Sequence, residues 1–291
     1  MGGLAIILRA VLFGGAVVVA DRFDEAIYLR LLREQRVTHL SVVATMLERL
    51  YAAVSSDDTF ASLRCVLLGG GPAPEELVEA SLARGVPVSP TYGLTECASQ
   101  VATLPPGLLA SHWDSVGTAI PGVNIRIARE DGGMADADEE GEICVAGAVV
   151  TAGYWNRPGE TARALRNGWL HTGDRGRMDA AGAITVLARE SDLILSGGEN
   201  VYPAEVERAL LVHPDVADAA VLGMPDDRWG AVPVALVVRR AGTAIDAAAL
   251  LDHCGGLLAR YKTPRSIRFV ESLPRTALGK LRRRAAARLL E

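Results

Sequence analysis

The run Arg189–Glu207, R-E-S-D-L-I-L-S-G-G-E-N-V-Y-P-A-E-V-E, joins a charged turn, a glycine pair and a helix start in one continuous stretch. Its position divides the 291 residues into two parts of different texture, with the joint at Ser191. Working outward, four further segments stand in fixed order around it: Tyr92-Gly93-Leu94-Thr95-Glu96, Gly141-Glu142-Ile143, Gly168-Trp169-Leu170-His171-Thr172-Gly173-Asp174, and Pro274-Arg275-Thr276-Ala277-Leu278-Gly279-Lys280.

From Val17 to about Val88, short apolar runs alternate with amphipathic helices. Predicted helices over Asp24–Gln35, Thr45–Val54 and Ala73–Ala83 separate runs at Val17–Val19, Leu40–Val43, Cys65–Leu68 and Val86–Val88. That alternation specifies crossover units on a mostly parallel sheet. After His112 the pattern becomes short strands between glycine and aspartate turns, at Val123–Ile127, Glu142–Val145 and Ile184–Leu187, which predicts a small β-barrel-like unit over residues 113–190. Residues 191–291 read as a separate α+β domain: a hairpin, a helix over Pro203–Leu211, strands Val216–Gly223 and Val232–Arg239, a helix Ile245–Leu258, a strand Ser266–Val270 and a terminal helix.

A hydrophobic content of 49% with 22% charged residues excludes disorder as the main state. A net charge of -5 gives no reason to bind a phosphate polymer, and Arg282-Arg283-Arg284 reads as the solvated face of a last helix, so no nucleic-acid partner is expected. The four cysteines, Cys65, Cys97, Cys144 and Cys254, form no C-x-x-C pair, and the five histidines show no metal spacing, so a disulfide framework or zinc cluster is not expected and a reducing cytoplasm fits. Leu4–Ala20 is apolar except for Arg9. That charge in mid-run, together with Gly14-Gly15, argues against a membrane span and for a buried helix, a glycine turn and a buried strand Ala16–Ala20.

Several of these residues suit one chemistry. A carboxylate is a poor electrophile; attaching an adenylate with loss of pyrophosphate activates it, which calls for cations near the triphosphate and an anchor for the nucleoside. Lys280 can supply a mobile positive charge, and Asp174 has lone pairs enough to accept both ribose hydroxyls. Glu96 offers a hard oxygen to Mg²⁺, Thr95 can meet phosphate, and Tyr92 can lie against adenine. Gly69-Gly70-Gly71, after the run Cys65–Leu68, allows a flat ring to approach bare backbone, and no Lys-Ser or Lys-Thr follows to make it a Walker loop. Cys97 reads as a packing residue.

Taken together, the motifs resemble the acyl-CoA synthetase, luciferase and peptide-synthetase adenylation superfamily over essentially the entire chain. Leu67–Pro74 and Thr91–Leu104 are most similar to the o-succinylbenzoyl-CoA synthetase subfamily of menaquinone biosynthesis. The resemblance implies the C-terminal part of an adenylate-forming large domain over residues 1–190, with α/β crossover units over 1–112, followed by a small α+β lid over 191–291. It implies ATP, Mg²⁺, CoA and a small carboxylic acid as cofactor and substrates. Gly69, Gly70, Gly71, Tyr92 and Gly93 then line the nucleotide site, Thr95 meets phosphate, Glu96 holds Mg²⁺, Asp174 and Arg189 hold the ribose, and Lys280 drives adenylation. In a second half-reaction the lid turns about Ser191 and brings Gly197, Gly198 and Trp229 to the CoA channel; Ser99 and Gln100 are the acyl-pocket candidates.

Two departures stand out. The family's hinge is usually Asp or Lys, where this chain has Ser191, and the family's glycine-, serine- and threonine-rich phosphate loop has no counterpart here. The chain therefore reads as a ligase lacking its N-terminal segment, weakly active or inactive by itself. An adenylation domain loading a carrier-protein thiol and a non-catalytic nucleotide-binding fragment are the competing readings.

Overall fold

The computed structural model describes residues 2–71, 73–189, 192–276 and 281–290. It divides into two compact units, Met1–Thr172 with Gly176–Val186, and Gly173–Arg175 with Leu187–Glu291.

The first unit opens with α1 (Gly2–Phe13), and α2 (Glu25–Glu34) follows after an irregular stretch. Asp24 starts α2 by accepting a hydrogen bond from the Ile27 N–H at 3.0 Å, a cap worth about 1 kcal/mol. Then come β1 (His39–Val42), α3 (Ala44–Ala53), β2 (Cys65–Leu68), α4 (Glu75–Ala83), β3 (Val88–Tyr92), β4 (Ala102–Thr103) and β5 (Thr118–Ala119). They form one sheet in the order β1-β2-β3-β4-β5. β1, β2 and β3 run parallel, as crossover helices require, and β4 and β5 extend the sheet in the antiparallel sense. Leu29, Leu32, Leu47, Leu50, Val66 and Val88 make the core beneath the helices.

The N-terminal run departs from its expectation. α1 and a left-handed Gly14 turn are there, but the helix is largely exposed and Ala16–Ala20 joins no strand. A strand needs a neighbour for its backbone groups, and β1 at the sheet edge takes β2 on one side only.

The next sheet comprises β6 (Val123–Ala128), β7 (Gly141–Gly147), β8 (Leu165–Arg166), β9 (Trp169–Met178) and β10 (Ile184–Arg189), in the order β10-β9-β7-β6 with β8 on β9; α5 (Pro158–Ala164) precedes β8. It is an open sheet, not a closed barrel: β6 and β10 are its two ends. Ile127, Ile143, Val145, Leu170 and Ile184 pack with Tyr92 and Cys97 into the second core of this unit.

In the second unit, β11 (Ile194–Ser196) and β12 (Glu199–Val201) form the hairpin, followed by α6 (Pro203–Leu211), β13 (Val216–Asp226), β14 (Gly230–Arg239), α7 (Ala247–Leu257), β15 (Ser266–Phe269) and α8 (Arg283–Ala287). The sheet order is β12-β11-β14-β13, with β15 parallel to β14. Alternation along β13 and β14 gives two apolar faces. Val221, Ala235 and Val237 meet Val206, Leu210 and Leu250 of α6 and α7, while Ala220, Leu222 and Leu236 meet Ala286 of α8. No helix among the described residues is long and apolar enough to cross a membrane.

Candidate active site

The loop between β3 and β4 is sterically tight. β3 delivers Tyr92, buried at 8% exposure, to the carboxyl end of the parallel strands, where crevices of open α/β sheets form. Gly93 follows because nothing else fits: a Cβ there would stand 1.6 Å from the Ser99 carbonyl oxygen. The chain then makes a single 3₁₀ turn, Thr95–Cys97, and returns through Ala98 at φ 57° and Ser99 at φ 144°. Two successive non-glycine residues in that region cost roughly 1–3 kcal/mol each, a cost concentrated at functional loops.

Several hydrogen bonds hold the strained return in place. The Gln100 side-chain amide donates to Thr91 Oγ1 at 3.1 Å and to Thr103 Oγ1 at 3.0 Å, and its Oε1 accepts from Arg9 Nη1 at 2.7 Å. The Glu96 carbonyl accepts the Thr151 N–H at 2.7 Å, and the Tyr154 hydroxyl donates to Glu96 Oε1 at 2.8 Å. Glu96 is thus an aimed, half-buried carboxylate, a hard oxygen donor suited to Mg²⁺. Thr95 is exposed at the start of the same turn. Burial beside Glu96 pushes the Cys97 thiol up to about 11, so it stays protonated near neutrality and acts as core.

Gly69, Gly70 and Gly71 leave the end of β2, adjacent to β3. A Cβ on Gly69 would press Thr91 Cγ2 at 3.1 Å, and Gly70 has φ 88°, whereas Gly71 faces open space. The glycine run and the Tyr92–Glu96 turn therefore lie at neighbouring strand ends. Ser99 and Gln100 belong to the same loop; Arg9, which served above only as an argument against a membrane span, is the residue that ties α1 to it.

In the second unit, Asp174 is 6% exposed and accepts a hydrogen bond from Arg189 Nε at 2.9 Å. Gly197 and Gly198 are both left-handed, at φ 63° and 86°, and turn the β11–β12 hairpin. A Cβ on Gly197 would meet the Trp229 ring at 2.6 Å, and the Gly197 N–H donates to the Trp229 carbonyl at 2.9 Å. Two of the three CoA-channel candidates, Gly197 and Trp229, are thus in contact, whereas a Cβ on Gly198 would meet nothing within 4 Å. Next to Ser191, Asp192 accepts from Arg283 Nε at 2.9 Å; Arg283 also reaches Glu207 at 3.3 Å. Ser191 and Lys280 lie outside the described residues; on either side of the lysine's segment, Arg275 and Leu281 form an antiparallel bridge.

One cluster escaped the sequence reading. Glu142 and Cys144 of β7 and His171 of β9 present their ligating atoms within 4.8 Å of one another. His171 Nδ1 and Glu142 Oε2 are 2.6 Å apart, a direct hydrogen bond, whereas nitrogen and oxygen ligands on one zinc ion stand about 3.3 Å apart. Arg166 lies 3.8 Å from the same Glu142 oxygen, and the Cys144 thiol is pushed up to about 11 by burial and by the nearby Glu142. The direct His171–Glu142 hydrogen bond and the nearby Arg166 guanidinium favour a hydrogen-bonded pair over a cation site. The pair ties β7 to the strand that continues to Asp174.

The family model described as AMP-binding enzyme matches residues 1–155, and that of the AMP-binding enzyme C-terminal domain matches residues 205–280. The chain is 47% identical over 293 residues to the 2-succinylbenzoate–CoA ligase of Geobacillus kaustophilus, covering 100% of this chain and 59% of that protein. The Bacillus cereus (strain ATCC 10987) 2-succinylbenzoate–CoA ligase is 43% identical over 291 residues, with 100% of this chain and 60% of the relative covered. Among solved structures, o-succinylbenzoate CoA synthetase (MenE) from Bacillus subtilis with the acyl-adenylate intermediate OSB-AMP gives a TM-score of 0.90 at 42% identity, covering 97% of this chain and 57% of that one. The same enzyme with ATP and magnesium ion gives 0.90 at 41%, covering 98% and 59%. The chain thus spans about 60% of the length of the curated relatives it matches. With more than half of its residues under the first model and the second following in order, the chain belongs to the AMP-binding enzyme family.

Proposed function

We propose that the chain carries the adenylation and thiol-transfer motifs of an ATP-dependent acid–thiol ligase that makes an acyl-CoA, with 2-succinylbenzoate as the acid and menaquinone biosynthesis as its setting. The observation that carries this reading is the loop from Tyr92 to Gln100, with Glu96 aimed by Tyr154 at the carboxyl end of the parallel strands beside Gly69–Gly71. The names of the relatives supply the acid. In the first step a carboxylate oxygen attacks the α-phosphorus of ATP, the bond to the bridging oxygen breaks, and pyrophosphate leaves. In the second, the CoA thiol loses its proton, its sulfur attacks the acyl carbon, and AMP leaves.

Tyr92, Gly93 and the glycine run receive the adenine, and Thr95 meets phosphate. Asp174, held by Arg189, accepts the ribose hydroxyls. Glu96 would hold Mg²⁺, which would supply positive charge toward the phosphates. Lys280 stabilises the charge that builds on the acyl carboxylate and α-phosphate, a contribution of about 10²-fold or more in rate. Gly197, Gly198 and Trp229 border the pantetheine path, and Ser191 is the joint between the two half-reactions. Ser99 and Gln100 line the acyl pocket. 2-Succinylbenzoate keeps a second carboxylate after activation, and Arg9, already 2.7 Å from Gln100, is a cation suited to it. Because ATP and CoA are its substrates, we assign the protein to the cytoplasm.

The test supplies the part of the Geobacillus kaustophilus ligase that this chain does not match, joined in one polypeptide, and measures acid-dependent pyrophosphate release and the thioester formed. 2-Succinylbenzoyl-CoA is the expected product. Turnover with a carrier-protein thiol and none with CoA, or no acid-dependent release, contradicts the proposal.

A further inference from the structure

Glu96 is gripped at both ends by a loop outside every motif read from the sequence. The Thr151 N–H donates to the Glu96 carbonyl at 2.7 Å, and the Tyr154 hydroxyl donates to Glu96 Oε1 at 2.8 Å. The first bond fixes the backbone of the 3₁₀ turn, the second the direction of its carboxylate. The loop is itself locked onto α5. Gly153, at φ 148°, lies so close to Thr161 that a Cβ would stand 2.7 Å from its Cγ2, and the Tyr154 N–H donates to Thr161 Oγ1 at 2.9 Å. Thr161 is held in turn, its N–H and its hydroxyl both donating to the Arg157 carbonyl at 2.9 Å. A tyrosine that is 38% exposed has water available for its hydroxyl; this arm built out from α5 sets it on the carboxylate instead.

The bond divides the two carboxylate oxygens. The hydroxyl proton takes up a lone pair of Oε1, while Oε2 accepts from no donor among the described residues and is the oxygen that Glu96 presents to a cation. One oxygen suits Mg²⁺, which takes its ligands octahedrally at about 2.0–2.1 Å and keeps several waters. Ca²⁺, with about six to eight oxygens at about 2.3–2.6 Å, gains from a carboxylate that chelates through both. Chelation by Glu96 has to compete with Tyr154 for Oε1.

We propose that Tyr154 is a positioning residue that keeps Glu96 to coordination through one oxygen and so selects Mg²⁺ over Ca²⁺ in the nucleotide site, with Thr161 holding Tyr154 in place. This inference rests on the ligase reading for the cation and the nucleotide, but its test reads binding without turnover, so the two can fail separately.

The experiment uses the polypeptide that joins this chain to the unmatched segment of the Geobacillus kaustophilus ligase, titrated calorimetrically with α,β-methylene-ATP in excess Mg²⁺ or excess Ca²⁺. Tyr154→Phe is expected to shift the ratio of the two affinities toward Ca²⁺ by about fivefold or more, the order of effect of one hydrogen bond to a charged group. Thr161→Val, which removes the acceptor of the Tyr154 N–H, shifts it in the same direction. Tyr261→Phe, at a 40% exposed tyrosine of the second unit, leaves it unchanged. In a Glu96→Gln background Tyr154→Phe adds nothing, because it acts through the carboxylate. In turnover, Tyr154→Phe raises the Mg²⁺ concentration that gives half-maximal pyrophosphate release and leaves the maximal rate close to the parent's. An unmoved affinity ratio in Tyr154→Phe, or a shift that persists undiminished beside Glu96→Gln, overturns the proposal. If the ratio shifts as expected while no acid-dependent pyrophosphate is released, the ligase reading fails and the role of Tyr154 stands; intact release with an unmoved ratio gives the reverse.

Discussion

Arg189 donates through Nε to Asp174 Oδ1 at 2.9 Å, joining two residues 15 apart along the chain. The carboxylate is nearly buried while the guanidinium is half exposed, so solvent weakens the ion pair and its main effect is to fix the carboxylate's direction. Asp174→Asn keeps the shape, loses the charge and leaves Arg189 facing an amide. In the joined ligase this substitution is expected to raise KM for ATP about tenfold or more, since a hydrogen bond to a charged group contributes about 1.5–3 kcal/mol. An unchanged KM removes Asp174 from the ribose site.

Gly93→Ala tests the β3–β4 loop. The new methyl would overlap the Ser99 carbonyl, so the return through Ala98 and Ser99 must open. Destabilisation of roughly 2–4 kcal/mol is expected from urea unfolding. Gly71→Ala, which meets nothing within 4 Å, serves as the control. Equal stability of the two variants means the loop is not built as described.

These two sites show what the sequence could and could not reveal. The segments Cys65–Leu68 and Pro203–Leu211 were legible to the residue, because a short apolar run and a proline-led acidic first turn are local signals. The strand expected over Val86–Val88 instead begins at Val88 and runs to Tyr92, through Pro90. Its polar residues find partners that only the fold provides: the Ser89 hydroxyl donates to the Leu104 carbonyl. Ala16–Ala20 has the composition of a buried strand, yet strand formation depends on a neighbour far along the chain, and composition cannot report one. The Glu142–His171 pair depends on the pairing of β7 with β9 across 29 residues, and Tyr154 reaches Glu96 across 58; neither spacing forms a motif.

Thiol reactivity gives a stability readout. Burial lifts Cys97, Cys144 and Cys254 each to about 11, so at pH 8 only about one in a thousand of each is thiolate. Alkylation of these three is expected to be at least 100-fold slower in the native chain than in urea. Rapid native labelling of Cys97 contradicts its place in the core.

Glu207 should impose a pH dependence. Burial raises its pKa, against the opposing pull of Arg283 and the Val221 N–H. A carboxyl whose folded value lies above its unfolded value of about 4.3 gives a stability contribution that is full below that value and is lost as pH rises through the folded value. Glu207→Gln, which can still accept the Val221 N–H, is expected to flatten that decline in unfolding free energy measured from pH 4 upward. An identical pH profile in the variant contradicts the assignment.

The most direct measurement is on Lys280, in the polypeptide that joins this chain to the unmatched segment of the Geobacillus kaustophilus ligase. For Lys280→Ala, acid-dependent pyrophosphate release is expected to fall by about 10²-fold or more, while thioester formation from supplied 2-succinylbenzoyl-AMP and CoA stays within a few fold of the parent. Adenylation that survives the substitution, or loss of both half-reactions together in a folded protein, contradicts the account.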